Sequence, residues 1–280
     1  MKKPQLIVIL LATLICVAVI IFAPRTQKGG PGAGKENIEN QPISTQTILD
    51  GAKTTLTGSQ KISLLSIENQ LNTSKTTLDS VKAYKQLSKF WADSAQNLAP
   101  YLYYSYSGAL LENSEKSLTF AAQLLIDRLT TMDAPPEIQN WMAVNAKVLL
   151  EKALVMNPKN DSAIINLGAC YLLGNISDNP MAGILKVKEV VDKNPQNAYG
   201  QFILGLGGKK SGQYPKAIDR FLAVLKLEPG NWYAMMNLAE CYELTDQKGL
   251  AIEWYLKVKT LVNIPEFVKI LDERINELRK

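Results

Sequence analysis

The sequence predicts an all-α protein: a solenoid of helical hairpins behind a single N-terminal transmembrane helix. Three observations carry this expectation. Residues 6–23, LIVILLATLICVAVIIFA, form an uninterrupted uncharged run. From Ile43 onward, apolar residues recur at three- and four-residue spacing with few strand-like alternations. One four-residue device also returns three times, as Asn157-Pro158-Lys159-Asn160, Asn194-Pro195-Gln196-Asn197 and Glu228-Pro229-Gly230-Asn231, and Pro265 follows; the prolines stand 37, 34 and 36 residues apart.

Taken in chain order, residues 1–23 read as a transmembrane signal anchor. Eighteen helical residues span about 27 Å, close to the hydrocarbon thickness of a bilayer. Thirteen of them are Leu, Ile, Val or Phe, which favours insertion by roughly 4–8 kcal/mol. A cleaved signal peptide is the rival, but its apolar region would be long and no good small-x-small site follows. Cys16 follows Thr13, Leu14 and Ile15, unlike a lipoprotein box. Lys2, Lys3 and the terminal amine place the N-terminus in the cytoplasm against Arg25, Lys28 and Lys35 beyond the span. The remainder is then periplasmic or otherwise extracytoplasmic.

Residues 24–42 are rich in Gly, Pro and polar side chains and hold one large apolar residue, Ile38; they read as a flexible linker. Gly29, Gly34 and Lys35 imitate the start of a phosphate-binding loop. Glu36 stands where the Ser/Thr belongs, though, and no strand precedes it. No nucleotide and no other cofactor is expected. Residues 43–158 form an N-terminal helical region. Ile43–Leu71 suggests two short helices, and residues 75–113, with Leu87, Trp91, Ala99 and Tyr103, a degenerate hairpin. Ser117–Thr131 is expected as a first helix, with an insertion over Met132–Asn140, and Ala146, Leu150, Ala153 and Pro158 mark its partner. Helical spacing predicts that two of Tyr101, Tyr103, Tyr104 and Tyr106 pack while two are exposed, a possible partner patch.

The three units that follow, 161–197, 198–231 and 232–264, each hold two helices. Proline stops the preceding helix, while Asn160, Asn197 and Asn231 are placed to cap the next. The middle unit carries Leu204-Gly205, Gly212, Tyr214, Ala217, Phe221 and Pro229. The last keeps Leu238-Ala239, Tyr242, Ala251 and Tyr255, and the first keeps Leu167-Gly168, Tyr171 and Pro195, with Gly183 and Val187 in place of Ala and an aromatic. This order, L-G, G-x-Y, A-x3-F and P at a near-constant period, resembles the tetratricopeptide repeat (TPR). The resemblance implies a right-handed helical-hairpin (TPR) solenoid. Residues 265–280, with Phe267, Ile270, Leu271, Ile275 and Leu278 on one face, read as its capping helix.

The chain has no histidine, which removes the commonest general base and metal ligand. Cys170 and Cys241 fall on equivalent positions two repeats apart, beyond disulfide reach. A net charge of +5, with no run of Lys/Arg among aromatics, argues against nucleic acid. No catalytic, cofactor or metal residue is therefore expected. The resemblance implies a protein or peptide partner in a concave groove lined by the first helix of each repeat. By matched positions those residues are Ile165, Asn166 and Ala169; Tyr199, Phe202, Leu206 and Lys209; and Tyr233, Met236, Asn237 and Glu240. The expected function is a membrane-anchored interaction scaffold that assists envelope complex assembly or secretion. The alternatives are a cytoplasm-facing TPR receptor on a membrane, or an enzyme or sensor using residues 43–113.

Overall fold

The computed structural model describes residues 44–131, 134–176 and 180–280, and the expected anchor and linker lie outside them. Among the described residues there are thirteen α-helices and no strand. None of these helices is long and apolar enough to cross a membrane. Two short helices open the described chain, α1 (Thr45–Thr54) and α2 (Gly58–Asn72). Helix α3 (Thr77–Lys89) runs into a π-helical turn, Phe90–Ser94, before α4 (Leu98–Glu112). Then come α5 (Glu115–Thr131), α6 (Pro136–Met156), α7 (Asp161–Leu173), α8 (Met181–Lys193), α9 (Ala198–Lys210), α10 (Tyr214–Leu227), α11 (Trp232–Leu244), α12 (Lys248–Leu261) and α13 (Pro265–Leu278).

The recurring asparagines set the helix starts. The side-chain oxygens of Asn160, Asn197 and Asn231 accept from the backbone N–H groups of Ala163, Gly200 and Ala234 at 3.0, 2.8 and 2.9 Å. Each satisfies a donor that the first turn would otherwise leave unpaired. At the α6–α7 junction, Asn157 and Asn160 also donate to Glu115 Oε1, both at 2.9 Å. These bonds hold the Glu115 carboxyl below its ordinary range, Asn160 contributing most. The start of α5 is thereby tied to the turn that leads into α7.

Helices α3/α4, α5/α6, α7/α8, α9/α10 and α11/α12 are hairpins, and each second helix also packs on the first helix of the next pair. Helices α5, α7, α9 and α11 lie side by side as one layer, with α6, α8, α10 and α12 as the other. A single core runs from Leu102 in α4 to Ile275 in α13, with Leu118, Leu149, Leu150, Ile203, Phe221 and Leu238 fully buried along it. A second cluster joins α1, α2 and α3 through Leu49, Leu64, Leu87 and Trp91 to Tyr104 of α4.

The departure at Gly183 has a steric cause. A Cβ added there would lie 2.5 Å from the Gly168 carbonyl oxygen, and one added at Gly168 would lie 2.3 Å from Val187 Cγ2. Helices α7 and α8 thus cross with backbone against backbone, a contact that alanine would forbid.

Two expectations are corrected. The insertion before α6 is shorter than Met132–Asn140, because the helix already begins at Pro136, whose fixed φ suits a first-turn position. The tyrosines do not divide two and two: Tyr104 is buried and Tyr101, Tyr103 and Tyr106 are half-buried. Tyr101 and Tyr103 pack against both core clusters.

Candidate functional site

The eleven expected groove residues all lie on α7, α9 and α11, and the structure gives them three different environments. Ile165, Asn166, Ala169, Phe202 and Leu206 are buried. Phe202 is 8% exposed, and its ring meets that of Phe221 edge-on at 5.9 Å between centroids. These five side chains pack the layer together and offer a partner little area of their own.

The polar members are largely spent on one another. The Tyr199 hydroxyl donates to Asn166 Oδ1, Asn166 Nδ2 donates to Gln123 Oε1 at 2.7 Å, and Gln123 Nε2 donates to Asp127 Oδ1 at 2.6 Å. This ladder crosses α5, α7 and α9. Burial pushes the Tyr199 phenol up, so it remains protonated and a donor. One layer further, Lys209 donates to Asn237 Oδ1 at 2.7 Å and forms an ion pair with Glu240, while Asn237 Nδ2 donates to the Tyr233 carbonyl at 2.8 Å. The Asn166 amide is buried and already bonded through both its oxygen and its nitrogen.

Open surface appears at the C-terminal end. Tyr233 is exposed and stacked on Trp232 at 3.7 Å, and Trp232 meets Phe267 of α13 edge-on at 5.7 Å. Beside them α11, α12 and α13 enclose a cavity of about 490 Å³ lined by Met236, Glu240, Glu243, Leu244, Tyr255, Ile270, Leu271 and Arg274. That volume suits a ligand group. Ile270 is 60% exposed and Leu244 is exposed too, so the apolar part of the wall is accessible. Its charges are fixed: Arg274 pairs with Glu243, which also accepts from the Tyr255 hydroxyl at 3.1 Å, and with Glu277 at 2.7 Å.

Met236 and Glu240 are thus the two expected residues that reach this cavity. Leu244, Ile270 and Arg274 were not singled out from the sequence as site residues. A signal existed: Ile270 and Arg274 lie three and seven residues after Phe267, on one stripe of α13.

Among the described residues no cluster of three or more His, Cys, Asp or Glu could hold a metal. Cys170 and Cys241 are free and buried, and burial pushes their thiols up to about 12 and about 11. Such thiols stay protonated and unreactive at neutral pH.

Residues 209–262, from the end of α9 to just beyond α12, match the tetratricopeptide repeat family model. No curated protein matches the chain by sequence. Among solved structures, the chain is similar to MamA (41 to end) from Desulfovibrio magneticus RS-1, with 21% identity, 65% of this chain and 95% of that one covered, and a TM-score of 0.44. It is also similar to YrrB, described as a TPR protein with an unusual peptide-binding site, with 15% identity, 82% and 100% coverage, and a TM-score of 0.42.

Proposed function

We propose that the protein is a membrane-tethered scaffold that holds a protein or peptide partner along the α5–α7–α9–α11–α13 layer. The cavity between α11 and α13 takes one apolar side chain of that partner. The observation that carries this reading is the pairing of accessible apolar walls, Met236, Leu244 and Ile270, with charges that already have partners, Glu243 with Arg274 and Glu240 with Lys209. An incoming apolar group then strips no unpaired charge of water, and its burial is worth about 1.5–3 kcal/mol. The role is binding rather than catalysis. It fits a chain with no histidine and with protonated, buried thiols.

The test is to identify the partner by crosslinking to the full-length chain and mass spectrometry, then to compare its binding to Met236→Ser combined with Ile270→Ser. Helical content and melting should stay close to those of the parent. Binding should fall about tenfold or more. A folded double variant that binds undiminished would sink this site.

The tether in this reading is residues 6–23, with the N-terminus in the cytoplasm and the helical layers outside it, where they assist assembly of an envelope complex or secretion. The full-length protein is then expected to stay in the membrane pellet through alkaline carbonate extraction. A reporter fused after Lys280 is expected to be active only outside the cytoplasm. A soluble form starting near residue 24, or a reporter active in the cytoplasm, would contradict the tether or its orientation.

A further inference from the structure

A second cavity, of about 360 Å³, opens between α3 and α5 over α4. Its walls are aromatic and small, with Tyr84 from α3, Tyr101, Tyr104 and Gly108 from α4, and Phe120 and Ala121 from α5. Three features set it apart from a packing gap. Phe120 is 61% exposed at its edge, an unusual setting for a phenylalanine. The π-helical turn, an irregularity found often at functional sites, supplies Ala92 and Asp93 to the wall. Tyr104 lines the cavity and is only 6% exposed, yet its hydroxyl makes no hydrogen bond to a described residue.

The mouth carries no net charge. Lys85 and Glu112 pair at 2.7 Å, and Lys89 and Asp93 offset each other in sign. The cavity is continuous with the proposed binding layer, since Phe120 lies three and seven residues before Gln123 and Asp127 on one stripe of α5. A peptide that follows the layer toward α3 meets Phe120 next.

We propose that this cavity is an anchor pocket for an uncharged aromatic side chain of the bound peptide, with Tyr104 donating a hydrogen bond to a peptide carbonyl beside it. The inference rests on the reading of this layer as the partner-binding face. Aromatic walls favour offset or edge-on contact with an aromatic guest. A neutral mouth selects against a charged one. Burial pushes the Tyr104 phenol up, which keeps its proton on and its role that of a donor.

The probe is a capped tripeptide, acetyl-Gly-(4-fluoro-Phe)-Gly-amide, titrated against the full-length chain in lipid nanodiscs, with ¹⁹F line broadening read against empty discs. Saturable broadening is expected. It should be abolished by Ala92→Trp, which fills the mouth, and weakened about threefold to tenfold by the near-isosteric Tyr104→Phe. The Met236→Ser, Ile270→Ser variant should bind the probe like the parent. The inference is overturned by absence of saturable broadening, by equal binding in Ala92→Trp, or by loss in the Met236→Ser, Ile270→Ser variant. It is also overturned if 4-fluorotoluene binds as tightly as the tripeptide, because the site would then hold apolar molecules rather than a peptide. Failure here leaves capture of the partner at the α11–α13 cavity as a separate result.

Discussion

Ala217→Glu is expected to unfold the solenoid from α9 to α13. Ala217 is fully buried on α10, and a Cβ added at Gly208 of α9 would stand only 3.3 Å from its own Cβ, so the two helices leave no room for a carboxylate. An uncompensated buried charge costs on the order of 3–5 kcal/mol, and forcing α9 from α10 adds about 1–3 more. Each hairpin is supported by its neighbours alone, so the loss should spread through α11, α12 and α13 rather than stop at α10. Hydrogen exchange gives the readout. Protection should collapse over residues 198–280 and persist in α3 and α4. Unchanged exchange over 232–280 would contradict this packing.

Phe202→Ser is the second large effect, and it separates Phe202 from Met236. Phe202 contacts Phe221, a fully buried residue of the same hairpin. Truncating such a ring costs about 3–5 kcal/mol, or roughly 10 °C in melting temperature for a domain of this size. Met236 is half-buried at a cavity wall, and its truncation should leave melting nearly unchanged. Circular dichroism melts of the two single variants decide the matter. A Phe202→Ser protein that melts like the parent but loses its partner would return Phe202 to the binding surface.

The contrast between these residues shows what was legible in the sequence. The punctuation was, because capping is local: Asn160, Asn197 and Asn231 bond backbone three residues away wherever the helix goes next. The small and aromatic positions inside each hairpin were legible for the same reason, and Ala217, Phe221, Ala251 and Tyr255 are all buried. The free face of a first helix was not. A first helix in the middle of the stack touches its own partner, the preceding second helix and a first helix on either side. Helix α7 therefore buries Ile165, Asn166 and Ala169 together, and periodicity cannot say which side remains open. Where the stack ends, at α11 and α13, a face stays uncovered. The start of α6 is equally hidden, because Pro136 reads as a loop residue as readily as a helix start.

The helical connectivity also bears on how the chain is made. Packing joins hairpins that are adjacent in sequence, and contacts of low sequence separation close quickly. As the chain emerges N-terminus first, each hairpin can form once its second helix is free, and the next is added to an existing surface. Helix α1 breaks this order. It packs on α4, and its Thr45 hydroxyl accepts from the Trp141 indole Nε1 of α6 at 3.4 Å, across 96 residues. The first helix described thus waits for partners that come later in the chain, and its bond to Trp141 closes only when α6 has emerged.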